Sequence, residues 1–81
     1  MIEVVVPEVS EEIDQLIVSC WHFEEGDRIE EGEDVVELTT EKATFNISAT
    51  TPGLLKEIYF EEGDVVSIGD IVATIEEDEE Y

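Results

Sequence analysis

One five-residue segment occurs twice in this chain, and the match between its two copies constrains the fold more than any other feature. Phe-Glu-Glu-Gly-Asp stands at Phe23 to Asp27 and again at Phe60 to Asp64. Positions downstream of the two copies correspond at the same offset: Ile29 with Val66, Gly32 with Gly69, Val35 with Val72, and Leu38 with Ile75. Neither copy is large enough to bury its own apolar face, so the two must pack together. The repeat therefore predicts a domain with approximate twofold symmetry.

Short β-forming segments alternate along the chain with turns that contain Gly and Asp. This pattern predicts an all-β fold, a flattened barrel or sandwich of two four-stranded antiparallel sheets. The segment Pro7 to Gln15 is polar and is predicted to be a surface loop, with room for one helical turn through Ile13 and Leu16. The predicted strands are Ile2–Val6, Ile17–Phe23, Arg28–Ile29, Val35–Leu38, Thr44–Ala49, Leu54–Phe60, Val65–Val66 and Ile71–Ile75.

The stretch from Glu37 to Ile47 predicts a β-hairpin that carries a lysine at its tip. Apolar strand positions flank the polar tip, Thr40-Glu41-Lys42-Ala43. A surface lysine is ordinarily one of many, but this chain has only three cationic side chains, Arg28, Lys42 and Lys56. The position of Lys42 therefore makes it the leading candidate for a functional residue.

The repeat also predicts where the termini lie. The offset between the copies carries Lys42 onto Glu79, near the end of the chain, and back onto Val5, near its beginning. The termini should therefore meet where the second copy would have had its hairpin, at the opposite end of the molecule from Lys42. By the same symmetry, the loop between Val6 and Gln15 should lie beside the lysine hairpin, where a partner could contact it.

The chain is strongly acidic, with 24 Asp and Glu residues and a net charge of −21. That charge excludes nucleic acid and anionic membranes as partners, and it implies that a docking protein presents basic groups. The length of 81 residues allows one domain, and an apolar fraction of 42% is enough for a core. We expect the domain to occupy residues 1–76, with residues 77–81 as an acidic tail or the start of a linker.

The single cysteine, Cys20, cannot form an internal disulfide, and the N-terminus lacks the pattern of a secretory signal. These features predict a cytoplasmic location, or the mitochondrial matrix if the source is eukaryotic. We expect the isolated domain to be a monomer.

Together these residues resemble the lipoyl domains of 2-oxo acid dehydrogenase complexes, within the wider biotinyl/lipoyl-attachment family. The resemblance covers essentially the whole chain, from Val4 to Ile75. It rests on Thr40-Glu41-Lys42-Ala43, which is close to the family's Asp-Lys-Ala turn, and on Gly26 and Gly53 at the family's spacing from the lysine. Two positions depart from the family pattern: Thr39 replaces a frequent acidic residue, and Glu41 replaces the usual Asp.

The resemblance implies that Lys42 carries lipoic acid in amide linkage, placed there by a lipoate-attaching enzyme that meets Glu41 and Ala43 as the neighbours of the lysine. It further implies that the lipoyl arm accepts an acyl group from a thiamine-dependent decarboxylase and delivers it to an acyltransferase core. A dihydrolipoyl dehydrogenase then reoxidises the arm. The domain would itself be non-catalytic, part of a dihydrolipoamide acyltransferase chain.

Three other functions share this kind of fold. Biotin carrier domains usually place Met on both sides of the target lysine, whereas Lys42 stands between Glu41 and Ala43 and the only methionine is Met1. The glycine-cleavage carrier also bears lipoyl but is usually longer, with helical segments. A lipoyl-like module that is never modified, with a structural or adaptor role, is the third alternative, and the lysine at the hairpin tip argues against it.

The sequence offers little for catalysis or metal binding. His22 is the sole histidine and is predicted to be a partly exposed strand residue beside Trp21, which is predicted to be core. Cys20 is predicted to be a packed small residue and not a nucleophile. The sequence shows no Cys/His cluster with metal-ligand spacing and no Gly-rich phosphate loop, so no metal site and no catalytic residue is predicted.

Overall fold

The computed structural model describes residues 1–77, which form eight strands in two four-stranded antiparallel sheets. The predicted fold class is therefore confirmed. The first sheet has the order β1-β8-β6-β3 and the second the order β5-β4-β2-β7. No helix that could cross a membrane is found in the described range. The strands are β1 (Ile2–Val5), β2 (Gln15–Trp21), β3 (Arg28–Ile29), β4 (Asp34–Thr39), β5 (Thr44–Ser48), β6 (Gly53–Ile58), β7 (Val65–Ser67) and β8 (Ile71–Glu77).

Strand β2 begins earlier than the sequence pattern predicts. Leu16 pairs with Val66 of β7 and is only 1% exposed, so it is a core residue of a strand. The predicted helical turn through Ile13 and Leu16 is wrong, because Leu16 pairs with β7 in extended backbone. A turn at 11–12 precedes the strand instead.

Strand β8 runs further than predicted. Glu76 pairs with Leu54 and Glu77 pairs with Gly53, so both carboxylates belong to the strand. The pairing with β6 continues beyond the last apolar residue because backbone hydrogen bonds do not depend on the side chain. The rest of the predicted acidic tail, residues 78–81, lies outside the described residues.

The two sequence repeats are interleaved by an exchange of edge strands. The first repeat contains β2, β3 and β4, but its short strand β3 pairs with β6 of the second repeat. Equally, β7 of the second repeat pairs with β2 of the first. The glycine turn of each repeat is also hydrogen-bonded to the other repeat. Gly26 N donates to Leu55 O at 2.7 Å, and Gly63 N donates to Val18 O at 2.8 Å. Each sheet is therefore built from both repeats.

The core lies between the sheets. Every strand except β5 supplies at least one buried residue, and Phe45 and Ile47 of β5 are partly buried against the core. Repeat mates are buried together: Leu38 and Ile75 are both fully buried. Trp21 is half-buried and packs against this core, and its Nε1 donates a hydrogen bond to Phe60 O at 2.9 Å. Trp21 therefore contributes to the core as predicted but only from its margin, because its indole N–H needs a polar partner and Trp21 is the last residue of β2. The buried apolar residues are Val4, Val6, Leu16, Val18, Ile29, Val35, Val36, Leu38, Ala49, Leu55, Val66, Val72, Ala73 and Ile75.

The termini and the hairpin lie at opposite ends of the sandwich, as the repeat predicts. At one end, Ile2 pairs with Ile75, and the amino group of Met1 lies 3.8 Å from a carboxylate oxygen of Glu77. At the other end of β1, the backbone of Val6 exchanges hydrogen bonds with the turn at residues 67–70. Ile68 N of the same turn donates a hydrogen bond to Asp14 O, immediately before β2. Strand β2 then runs beside the hairpin strand β4.

The acidic surface is largely unneutralised. Arg28 pairs with Glu30 at 2.7 Å and Lys56 with Glu76 at 3.8 Å, and all four side chains are at least half exposed. Exposed ion pairs of this kind contribute about 0–1 kcal/mol each. With three basic side chains against 24 acidic ones, most carboxylates have no ionic partner.

Gly26 has a φ of 94°, and its repeat mate Gly63 has a φ of 93°. No atom lies within 4 Å of a Cβ built at either position, so a side chain there would strain only the backbone. We expect Gly26→Val to lower the free energy of unfolding by about 1–3 kcal/mol. Gly26→Asn should cost less, because Asn tolerates the left-handed region. Denaturant melts of both variants and of Gly63→Val test this, and wild-type melting of the two Val variants would contradict it.

Repulsion among the carboxylates should oppose folding, because the compact chain holds them closer together than the unfolded chain does. The Debye length falls from about 30 Å at 0.01 M salt to about 10 Å at 0.1 M. We therefore expect the melting temperature to rise as NaCl increases over this range. A melting temperature that stays level or falls would mean that the repulsion is already offset.

Candidate functional site

The predicted lysine hairpin is formed by strands β4 and β5. Their register runs from Asp34 opposite Ser48 to Thr39 opposite Thr44, which leaves residues 40–43 as the tip. A hydrogen bond from Thr40 N to Ala43 O, at 2.8 Å, closes the turn. The hairpin forms because the strand residues alternate between the core and solvent on both sides of a short polar segment.

Two threonine hydroxyls hold the backbone of the tip. Thr40 Oγ1 accepts hydrogen bonds from Lys42 N at 3.2 Å and from Ala43 N at 3.1 Å. Thr39 Oγ1 lies within donating distance of Thr40 O (3.2 Å) and Ala43 O (3.3 Å). Short hydroxyl side chains commonly stabilise turns in this way. Thr39, which departs from the family pattern in sequence, thus has a structural role at the tip.

The side chain of Lys42, in contrast, is left unconstrained. Lys42 and its neighbours Glu41 and Ala43 are all exposed. Within residues 1–77, the Lys42 ammonium group has no ion pair, whereas Arg28 and Lys56 each have one. The tip therefore combines a held backbone with a free primary amine, which is the arrangement needed to attach a group and present it to other proteins.

A cleft of about 450 Å³ lies between the hairpin tip and the loop before β2. The predicted position of this loop, beside the lysine, is therefore observed. Ile17 and Val65 are cross-strand partners in the cleft and are 43% and 54% exposed. Both apolar and acidic side chains line the cleft. Its lining residues are Glu12, Ile13, Asp14, Gln15, Leu16, Ile17, Thr39, Thr40, Glu41, Lys42 and Val65.

The fold also assembles a group of side chains that sequence reasoning missed. Ligand atoms of Cys20, His22 and Glu37 all lie within 4.8 Å of one another. The sequence showed no cluster with metal-ligand spacing because Glu37 comes from a neighbouring strand. The only signal was Cys-x-His at the end of one predicted strand, because this spacing puts both side chains on the same face of an extended backbone. Partial burial, and then the carboxylates of Glu37 and Glu62, raise the pKa of the Cys20 thiol.

Comparison with known proteins gives a consistent result. The biotin/lipoyl family model, described as "Biotin-requiring enzyme", matches residues 2–75. The dihydrolipoyllysine-residue succinyltransferase component of the 2-oxoglutarate dehydrogenase complex from Bacillus subtilis is 38% identical over 77 residues. That match covers 95% of this chain and 18% of the relative. The chain thus spans about a fifth of the length of the curated relatives it matches.

Two solved structures show the same architecture. The solution structure of the lipoyl domain of the 2-oxoglutarate dehydrogenase complex from Azotobacter vinelandii matches with a TM-score of 0.78 and 28% identity, covering 95% of this chain and 98% of that one. The crystal structure of urea carboxylase from Kluyveromyces lactis matches with a TM-score of 0.62 and 28% identity, covering 90% of this chain and 7% of that one.

The role of the Thr40 hydroxyl can be tested by Thr40→Val, which keeps the branched shape but removes both hydrogen bonds to the tip amides. We expect stability to fall by less than about 1 kcal/mol, because water can replace these exposed bonds. Amide hydrogen exchange at Lys42 and Ala43 should become faster. Thr40→Ser, which retains the hydroxyl, is the matched control. Unchanged exchange in the Val variant would show that the hydroxyl does not hold the tip.

Proposed function

This chain belongs to the biotinyl/lipoyl-attachment family, and on that premise we propose that Lys42 is the residue through which it carries its cofactor. The domain is a lipoyl carrier and not a catalyst. The observation that supports Lys42 most strongly is its position, exposed and without an ion pair in residues 1–77, on a tip whose backbone is hydrogen-bonded. Lys56 lies within a strand of the first sheet and pairs with Glu76.

The proposed cofactor is lipoic acid, joined by an amide bond to the Lys42 amine. When bound, it supplies a dithiolane that can accept and transfer an acyl group. The immediate neighbours, Glu41 and Ala43, are not the methionines usual beside a biotinylated lysine. The likeness to the urea carboxylase structure supports only the shared architecture. Lipoic acid is favoured over biotin because of these neighbours and because the relatives are dihydrolipoyllysine-residue succinyltransferases.

The protein's contribution is to position the arm. The β4–β5 hairpin holds the attachment point clear of the sandwich, and the termini lie at the opposite end. A group on a long flexible arm, tethered through such a domain, reaches each active site at a high effective concentration. The domain therefore needs a rigid base and a mobile tip side chain. The hydroxyl bonds of Thr39 and Thr40 provide the rigid base, and the exposed side chain of Lys42 is free to move.

We propose that the partners are those of a 2-oxoglutarate dehydrogenase complex, since the curated relatives are succinyltransferase components of that complex. The domain would then meet a thiamine-dependent decarboxylase, an acyltransferase core and a dihydrolipoyl dehydrogenase. The cleft beside Lys42 is lined in part by Glu12, Asp14 and Glu41, and it fits a partner with a basic surface around its active-site entrance. Association with such a partner should slow as salt increases.

Attachment is tested by incubating the chain with lipoate, ATP and a lipoate ligase. We expect the mass of one lipoyl group to be added to the wild-type chain and to Lys56→Ala, and none to Lys42→Ala. Since the Lys42 side chain is exposed, Lys42→Ala should leave the free energy of unfolding within about 0.5 kcal/mol of wild type. A biotin ligase should add nothing. Modification that persists in Lys42→Ala would overturn the assignment.

A further inference from the structure

The outer face of the second sheet carries a cluster of metal-ligating side chains well below the hairpin tip. Cys20 of β2 is the direct cross-strand partner of Glu37 of β4, and Glu37 is in turn the partner of Asn46 of β5. His22 lies two positions beyond Cys20 and continues the pairing through a bond from its N–H to Val35 O, at 3.0 Å. The ligand atoms of Cys20, His22 and Glu37 lie within 4.8 Å of one another.

A β-bulge between Val18 and Cys20 produces this convergence. The bulge places an extra residue, Ser19, in β2, and the Ser19 hydroxyl donates a hydrogen bond to Glu37 Oε2 at 2.8 Å. Bulges re-aim side chains in this way and often occur beside functional sites. The bond to Ser19 holds the Glu37 carboxylate and leaves its second oxygen available.

His22 is held by a second partner. Its Nε2 lies 2.9 Å from Asn46 Oδ1, and in the tautomer with the proton on Nε2 this nitrogen donates to the amide oxygen while Nδ1 keeps its lone pair for a metal ion. A metal-binding histidine typically donates its other ring N–H to an oxygen in this manner. Two of the three candidate ligands are therefore already oriented by neighbours.

The internal repeat supplies a comparison within the same molecule. In the first sheet, Glu57 and Thr74 are paired beside an equivalent bulge and occupy the places of Cys20 and Glu37. Tyr59 takes the place of His22, and its N–H bonds Val72 O at 2.9 Å as His22 bonds Val35. The same backbone thus exists without the cysteine and the histidine, so the fold alone does not require these ligands.

We propose that Cys20, His22 and Glu37 bind a divalent transition-metal ion of the Zn²⁺ type on the outer face of the second sheet. One sulfur, one nitrogen and one oxygen ligand form a set that suits Zn²⁺. Around a tetrahedral Zn²⁺ ion the ligand atoms lie about 3.5 Å apart, so small side-chain rotations would complete the site. Binding replaces the thiol proton of Cys20, which passes to solvent, and a water molecule takes the fourth position.

The position of the cluster favours entry of the ion. Cys20 and Glu37 are partly buried and His22 is exposed, so the site is open to solvent on one side. The net charge of −21 concentrates cations near the surface. The same charge creates weak, non-specific cation binding, and a test must separate that background from the cluster.

The experiment titrates the reduced 81-residue chain, with nothing attached to Lys42, with Zn²⁺ by calorimetry and with Co²⁺ by absorption spectroscopy. We expect one strong site per chain, and a thiolate-to-cobalt charge-transfer band in the near ultraviolet. Cys20→Ser and His22→Gln should each weaken Zn²⁺ binding by about tenfold or more. Cys20→Ser should also abolish the charge-transfer band.

The matched pair is Glu37→Gln and Glu57→Gln, which remove the same charge, once from the cluster and once from the corresponding strand pair of the other sheet, where Glu57 occupies the place of Cys20. Glu37→Gln should weaken binding by about tenfold, and Glu57→Gln by less than about twofold. Melts without metal check that each variant folds. Equal Zn²⁺ affinity in wild type, Cys20→Ser and His22→Gln, or a Co²⁺ complex without the thiolate band, would overturn the proposal. Because Lys42 is unmodified throughout, the result does not depend on the carrier function.

Discussion

The structure depends on the pairing of each repeat's short edge strand with the other repeat. Strand β3 has two residues and β7 has three, and neither would be stable as the edge of its own unit. By crossing over, each strand joins the opposite sheet and brings a buried residue, Ile29 or Val66, into the shared core. The hydrogen bonds of Gly26 and Gly63 to the other repeat reinforce the exchange. The core therefore closes only when both repeats are in place, which makes folding of the domain a single cooperative event.

This interleaving gives the molecule two equivalent ends, which the chain uses differently. One end is occupied by the termini, where Ile2 meets Ile75, and the other by the lysine hairpin. The symmetry thus separates the termini from Lys42 by the length of the sandwich. The tip itself is small and polar, so its order comes from the hydroxyls of Thr39 and Thr40 and not from packing. The proposed attachment at Lys42 needs this combination, because the backbone of the attachment point must be held in place while the attached side chain moves.

The outer faces of the sheets have diverged further than the core. Leu38 and Ile75 are equivalent and both fully buried, since each fills the space between the sheets. On the outside, Cys20 and Glu57 occupy equivalent places with unrelated chemistry. Solvent-facing positions carry little packing constraint, so charge, ligation and partner contacts can change there at small cost in stability. The acidity of the chain and the Cys20 cluster both lie outside the core.

The sequence by itself determined the local elements: the strand alternation, the glycines at positive φ in the turns, the repeat and the lysine hairpin. These follow from residues close together in the chain, where period-two burial and the steric freedom of glycine act directly. The tertiary structure alone decided which strand lies beside which. In the folded chain Leu16 is a core residue and Trp21 is half-buried. Strand β8 continues through Glu77, and Glu37 lies opposite Cys20. Such outcomes depend on sheet register and on bulges, which arise from contacts between distant segments, and a one-residue slip would send every side chain of a strand to the opposite face.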